Sequence, residues 1–167
     1  MRQQYQRRRR PRHWVLLSIL VIVLVLLISA GYVIRRATKP LSQDQIRAER
    51  IAKKSGHLTS TSDFYWTNLN STYYTVAGKN KQKQAVYAVI SESGKDVTVL
   101  KQSAGMSRNT ALQQVWKRNP KKVLSAALRI FNGKPAWQVG YLNQSGKLCY
   151  VTFQYSNGKV LQQIANI

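Results

Sequence analysis

The residues able to perform acid–base chemistry are few in this sequence and lie far apart. The 167 residues contain five acidic side chains, Asp44, Glu49, Asp63, Glu92 and Asp96. None of them falls in a pair whose spacing indicates a general acid and a general base. The acidic residues therefore predict no hydrolytic or acid–base site.

The single cysteine and the one histidine outside the N-terminal tail remain as a candidate nucleophile and its base. Cys149 with His57 would form such a pair. However, Cys149 alternates with Val151, Phe153 and Tyr155 on one face of a predicted strand, which favours a small buried hydrophobic residue. One histidine and one cysteine cannot fill a tetrahedral metal site. The sequence therefore predicts no catalytic residue, no metal and no cofactor.

Large aromatic side chains are the remaining residues suited to binding. They are Tyr65, Trp66, Tyr73, Tyr74, Trp137 and Tyr141. Aromatic rings dominate protein-binding hot spots, although rings on strands also fill cores. Because adjacent strand residues point to opposite faces, Tyr73 and Tyr74 cannot both be buried unless both faces of their sheet are covered. We expect the partner-binding surface to include these rings.

An uncharged apolar segment, residues 14–34, precedes the rest of the chain and would determine on which side of a membrane that part lies. Its 21 residues read WVLLSILVIVLVLLISAGYVI, and they would form a helix of about 31 Å, close to the ~30 Å hydrocarbon core of a bilayer. Trp14 and Tyr32 suit the headgroup level at its two ends, and Arg35 and Arg36 end the apolar run. These features predict a single-pass transmembrane helix.

The orientation of this helix follows from its flanks. Residues 1–13 carry six arginines and no acid, which by the positive-inside rule places this basic tail in the cytoplasm and the following domain outside. A cleaved signal peptide is the alternative, because Ser29 and Gly31 have the spacing of a signal-peptidase site. Continuation of the apolar run to Ile34, followed by arginines, favours an uncleaved anchor at the cell membrane.

The chain is strongly basic, with a net charge of +22. From residue 35 onward 21 basic residues stand against five acidic ones. Such a surface either attracts polyanions, such as anionic lipids or teichoic acids, or is the solvated face of a protein beside an anionic envelope. We expect no nucleic-acid binding, because the arginine-rich tail has no fold and only Tyr5 to stack on bases.

A helix and several strands are predicted over residues 42–104, after a linker at residues 35–41. Ser42 is a candidate N-cap, Gln45 completes a capping box, and Gly56 ends the helix. The segments SDFYWTNLN, STYYTVAG, QAVYAVIS and DVTVLKQ then have strand composition and are separated by turn-forming residues.

The same order of elements returns over residues 105–167. Ser107 caps a second predicted helix, Pro120 closes it, and the strands KPAWQVGYL, KLCYVTFQY and KVLQQI follow. Residues 121–131, KKVLSAALRIF, fit a strand or a helix equally well.

A weak internal repeat relates the two halves. An offset near 63 residues places Val76 on Val139 and Tyr87 on Tyr150. The sequence therefore predicts an α+β fold with two repeats, each a helix packed on an antiparallel sheet. Repeats of about 60 residues are marginal alone, so we expect the two to pack on each other.

Several of these segments resemble one protein family over nearly the whole chain. Five segments, together with the basic N-terminus and the single membrane span, are similar to the YpmB or TseB family of Gram-positive bacteria, which is described as cell-wall elongation regulators. The segments are SDFYW, STYYTVAG, QAVYAVI, GMSRNTAL and PAWQVGYLNQSGKLCYVTF. The segments NGKPAWQVGY, GKLCYVTF and NGKVL also resemble PepSY modules, which implies cystatin-like repeats. Gln138 stands where the resemblance leads us to expect an acid.

This resemblance implies a function that composition and spacing do not give. It implies a non-enzymatic, membrane-anchored extracytoplasmic protein that regulates cell-wall elongation by binding a penicillin-binding protein, a peptidoglycan synthase. Two alternatives stay open: a PepSY-type inhibitor or modulator of an extracytoplasmic protease, and a binder of anionic envelope polymers.

Overall fold

The computed structural model describes the backbone of residues 12–165 and the side chains of residues 16–29 and 43–165. In chain order the elements are helix α1 (Arg12–Lys54), strands β1 (Leu58–Thr67), β2 (Tyr73–Asn80), β3 (Ala85–Ser91) and β4 (Val97–Lys101), a 3-10 turn (Gln102–Ala104), helix α2 (Arg108–Trp116), and strands β5 (Lys122–Phe131), β6 (Lys134–Leu142), β7 (Leu148–Gln154) and β8 (Val160–Ile164). Strands β1–β4 form sheet A and β5–β8 form sheet B, with antiparallel pairing throughout. The chain divides into two units, Met1–Gln43 and Asp44–Ile167.

Helix α1 passes through residues 35–41, which we predicted to be a linker. Its backbone is helical over 43 residues, so no new helix begins at Ser42. Gln45 Nε2 donates to Glu49 Oε1 at 2.9 Å, one turn along the helix, instead of completing a capping box. A proline such as Pro40 removes one backbone donor without excluding helical backbone, and no glycine occurs between residues 32 and 55. The linker prediction is corrected accordingly.

The apolar part of α1 exposes its side chains in all directions. The large hydrophobic residues between positions 16 and 28 are each 46–66% exposed. Among the described residues, none of the helices combines the length and the apolar character needed to span a bilayer. The side chains of Trp14, Tyr32, Arg35 and Arg36, which we predicted at the membrane interface, lie outside the described residues.

One face of sheet A is covered by the last turns of α1. Ala48 and Ala52 are buried there against Val76, Ala88 and Ile90. Two alanines one turn apart let the helix lie close to the strands. The first predicted repeat therefore has its expected layers, a helix on an antiparallel sheet.

Helix α2 covers sheet B in the same way. Its predicted N-cap is confirmed, since Ser107 Oγ accepts a hydrogen bond from the Thr110 N–H at 3.1 Å. Ala111 and Val115 are fully buried in the core that α2 shares with sheet B. Most of the ambiguous segment 121–131 forms β5, so it is a strand.

The second face of sheet A belongs to the same core as α2 and sheet B. Ala77, Tyr87 and Val89 of sheet A share one cluster with Leu128 and Val139 of sheet B. Sheet A is thus covered on both faces, by α1 and by the second repeat. The two repeats lie within one compact unit, Asp44–Ile167.

Strand positions confirm the internal repeat. Strands β3 and β7 begin at Ala85 and Leu148, and β4 and β8 begin at Val97 and Val160, so the offset is 63 residues in both cases. The structure therefore has the predicted α+β fold, with two four-stranded antiparallel sheets and helices.

Candidate partner-binding surface

Three of the six aromatic residues predicted at the binding surface are core residues. Trp137 is 0% exposed, Tyr141 5% and Tyr74 8%. A ring buried to this extent contacts a partner only if the core opens, so the prediction is wrong for these three. Both faces of their strands are covered, which makes room in the core for rings that point in opposite directions.

Trp66 is the most exposed of the six rings. It is 42% exposed and lies near the end of β1, which is an edge strand of sheet A. Its cross-strand neighbour is Tyr74, whose ring stacks on Phe64 with the ring centroids 6.0 Å apart. Trp66 therefore rests beside a fixed aromatic pair, and part of its ring is free for a partner.

Tyr65 and Tyr73 are half-buried, and an arginine from the second repeat lies over each ring. The Arg108 guanidinium is 4.6 Å from the Tyr65 ring centroid, and that of Arg129 is 5.7 Å from the Tyr73 centroid. Both distances suit cation–π attraction. Burial raises the pKa of Tyr65, with Asp63 adding to the shift and Arg108 opposing it, so the hydroxyl stays neutral. These two rings contribute mainly to packing between the repeats.

An open polar recess of about 680 Å³ adjoins the end of β1. Its lining includes residues 70–72, Tyr73, residues 91–93 and Arg47. The Arg47 side chain is held in place because its Nη2 donates to the Ser93 carbonyl at 3.0 Å. Trp66 does not line the recess, but its neighbour Thr67, the last residue of β1, pairs with Tyr73, which does. An exposed aromatic ring and a recess of hydroxyl, amide and charged groups at one end of a sheet are features of a protein-binding hot spot.

The part of the chain that carries Trp66 and this recess matches a known family. Residues 47–91 match the family model described as the cell wall elongation regulator TseB-like domain. We call this stretch, which is similar to that family, the TseB-like domain. The match confirms the predicted resemblance to the YpmB or TseB family, and its description names a regulator and not an enzyme.

Two solved structures resemble the chain beyond the TseB-like domain. The YpmB protein from Bacillus subtilis matches with a TM-score of 0.60 and 22% identity, over 71% of this chain and 94% of that one, which shows a shared fold. A Clostridium difficile 630 protein described as a lipoprotein matches with a TM-score of 0.40 and 16% identity, over 74% of this chain and 91% of that one. No curated protein sequence matches the chain.

The candidate nucleophile and base do not meet in the structure. Cys149 is 2% exposed in β7, whereas His57 is exposed in the turn between α1 and β1. Burial of Cys149 with Val151, Phe153 and Tyr155 follows the predicted alternation. Among residues whose side chains are described, no three potential ligands lie close enough to hold a metal ion.

A buried polar pair that the sequence analysis did not single out links sheet B to the TseB-like domain. Arg129 and Gln138 are 6% and 1% exposed. They project from the same face of β5 and β6, because Arg129 pairs with Ala136 and Gln138 with Ala127. The sequence indicated Gln138 only as a residue that stands where the family resemblance predicts an acid, and it gave no signal for Arg129.

Both side chains of this pair contact residues that follow the exposed ring. Arg129 Nη1 donates to the Leu69 carbonyl at 2.6 Å, and the Thr67 hydroxyl donates to Gln138 Oε1. Within the described residues, Arg129 Nε and Gln138 Nε2 have no hydrogen-bond partner. Burial lowers the pKa of Arg129, opposed by the nearby Tyr73. The guanidinium is therefore desolvated, and no carboxylate in the described part of the chain pairs with it.

Proposed function

We propose that the chain is a membrane-anchored extracytoplasmic regulator of cell-wall elongation that works by binding a penicillin-binding protein and catalyses no reaction. The observation that carries this proposal is the exposed Trp66 ring near the end of β1, within residues 47–91, which match the TseB-like family model. The polar recess at the same end of sheet A supports it. The family description supports the role in wall elongation. The separation of Cys149 from His57 supports a binding role over thiol chemistry.

The anchoring part of the proposal rests on the N-terminal segment. Residues 14–34 carry no charge, and the hydrophobic side chains described between positions 16 and 28 are exposed instead of packed. Exposed apolar side chains all around a helix are unfavourable in water and favourable in lipid. The six arginines of residues 1–13 support a cytoplasmic N-terminus.

Intact mass spectrometry of the membrane-extracted protein checks the anchor. We expect a mass that includes residues 14–34, and digestion of the Asp44–Ile167 unit when protease is added outside intact protoplasts. A mature chain beginning near Tyr32 would instead show that a signal peptide is cleaved. Full protection from protease would show the opposite topology, with this unit inside the cell.

Capture of the partner in living cells tests the binding role. We expect Trp66→Ala to weaken crosslinking of the full chain to the elongation synthase, because removing an anchoring ring costs about 2 kcal/mol, roughly 30-fold in affinity. Neutralising Lys79, Lys81 and Lys83 together should leave capture nearly unchanged, since rim charges act mainly on the encounter rate.

Trp116→Ala is the matched control for that experiment. Trp116 is an exposed tryptophan, 56% accessible, and it lies outside the TseB-like domain. Retained capture with Trp116→Ala and lost capture with Trp66→Ala, both folded, supports the proposed surface. If the lysine variant loses the partner while Trp66→Ala keeps it, recognition is electrostatic and the proposed surface is wrong.

A further inference from the structure

The two halves of the Asp44–Ile167 unit differ sharply in charge. Residues 97–167 contain no acidic residue and ten basic ones, Lys101, Arg108, Lys117, Arg118, Lys121, Lys122, Arg129, Lys134, Lys147 and Lys159. Residues 44–96 contain eight basic residues and all five acids of the chain. Because cations without interspersed acids repel one another and destabilise the folded state, the second half favours an external anion.

Five of these cations come together at one end of sheet B. We call Lys117, Arg118, Lys121, Lys122 and Lys147 the basic patch; all five are exposed. They lie on the α2–β5 loop, at the first residue of β5 and on the β6–β7 turn.

Hydrogen bonds hold the two loops of the basic patch together. Gln144 Nε2 donates to the Asn119 carbonyl at 3.0 Å, and the Lys121 N–H donates to the Leu142 carbonyl at 2.9 Å. Pro120, between the two pairs of cations, is buried. The patch is therefore a fixed surface built on the fold.

The second half of the chain has no acidic side chain to balance the charges of the basic patch. Arg118 donates to the neutral Gln163 side chain at 2.8 Å. No aspartate or glutamate occurs in residues 97–167 to pair with any of the five. Two apolar side chains are also exposed here: Trp116, the last residue of α2, is 56% exposed, and Leu124 of β5 is 48% exposed.

We propose that the basic patch binds a linear, phosphate-bearing polymer, independently of the partner surface around Trp66. Exposed cations on two neighbouring loops match the spaced charges of a chain better than a single small anion. Lys134, the first residue of β6, and Lys159, in the turn before β8, lie at the opposite end of sheet B. A flexible chain that leaves the basic patch can reach these further cations, whereas a flat bilayer that meets the patch cannot. The Trp116 ring adds an apolar face for the carbon backbone of such a polymer.

Fluorescence anisotropy of a labelled poly(glycerol phosphate) oligomer, titrated with the full chain in neutral detergent micelles, tests this proposal. The patch variant carries Lys117→Gln, Arg118→Gln, Lys121→Gln and Lys122→Gln. We expect it to lose about tenfold or more in affinity at low salt and to reduce the slope of log K against log salt by about 3, since each contact on a flexible strand contributes roughly 0.7.

A control variant with the same loss of charge carries Lys79→Gln, Lys81→Gln, Lys83→Gln and Lys95→Gln, all in the first half. It should bind the oligomer within about twofold of the wild type, because its substitutions lie away from the patch. Equal losses in both variants would show attraction by overall charge and overturn the proposal. Binding to phosphatidylglycerol vesicles but not to the oligomer would assign the patch to a lipid surface, and no oligomer binding at low salt would also overturn it.

Discussion

Trp137→Ala is expected to lower the free energy of unfolding by about 3–5 kcal/mol, the range for removing a large ring from a packed core. Trp137 is fully buried, and its ring meets Tyr87 edge-on with the centroids 5.5 Å apart. Its Nε1–H donates to the Met106 carbonyl at 2.7 Å, at the entrance to α2. Truncation leaves a cavity and an unpaired carbonyl between the two repeats. Chemical denaturation followed by circular dichroism measures the loss.

Two further variants separate these contributions. Trp116→Ala removes the same side chain from an exposed position, so its effect should stay within about 0.5 kcal/mol. Trp137→Phe keeps most of the apolar volume and loses the hydrogen bond, so its cost should fall between the two. A change below about 1 kcal/mol for Trp137→Ala would show that Trp137 is not a core residue and would restore it as a candidate for the partner surface.

Most of the fold follows from local signals in the sequence. Ser107 has the residue type and position of an N-cap, and turn-forming residues mark the ends of β2, β3 and β7. The offset of 63 residues follows from hydrophobic matches alone, and the structure reproduces it at β3 and β7. Local patterns define these elements because each depends on residues close together in the chain.

Which aromatic residues are buried depends on contacts between elements that are distant in sequence. The alternation of residues along a single strand therefore could not predict it. A single sheet under one helix buries every second residue, but β6 is buried on both faces from Ala136 to Tyr141. The packing of sheet A against the second repeat determines this burial. Local signals also failed in α1. The capping box at Ser42 predicted that a helix begins there, but α1 continues through this residue.

The environment of Gln138 could not be predicted from the sequence either, because it forms only when the two sheets pack together. The sequence marked it as a departure from the family pattern and gave no sign of a buried guanidinium nearby. In the structure Gln138 and Arg129 are diagonal neighbours on one face of sheet B, and each retains a nitrogen without a partner among the described residues. An acid at position 138 would place a carboxylate beside a cation that is already desolvated.

We therefore expect Gln138→Glu to stabilise the fold by about 1 kcal/mol at neutral pH, since hydrogen bonds to charged groups contribute more than neutral ones. The new carboxylate should have a lowered pKa because of Arg129. A lowered folded-state pKa means that this gain is present at neutral pH and is lost as the pH falls into the acidic range. Denaturation midpoints of both proteins across that range measure the effect.

The same substitution should destabilise the fold instead of stabilising it when Arg129 is replaced. In an Arg129→Gln background, Gln138→Glu buries a carboxylate with no cation beside it, and we expect a loss of about 3 kcal/mol at neutral pH. The coupling between the two positions is then about 4 kcal/mol, which a double-mutant cycle measures directly. The unpaired carboxyl should have a raised pKa, so lowering the pH should restore stability in this background and reduce it in the single variant. Equal effects of Gln138→Glu in both backgrounds would mean that the two side chains do not interact, and that Arg129 is balanced by its contact with the Leu69 carbonyl alone.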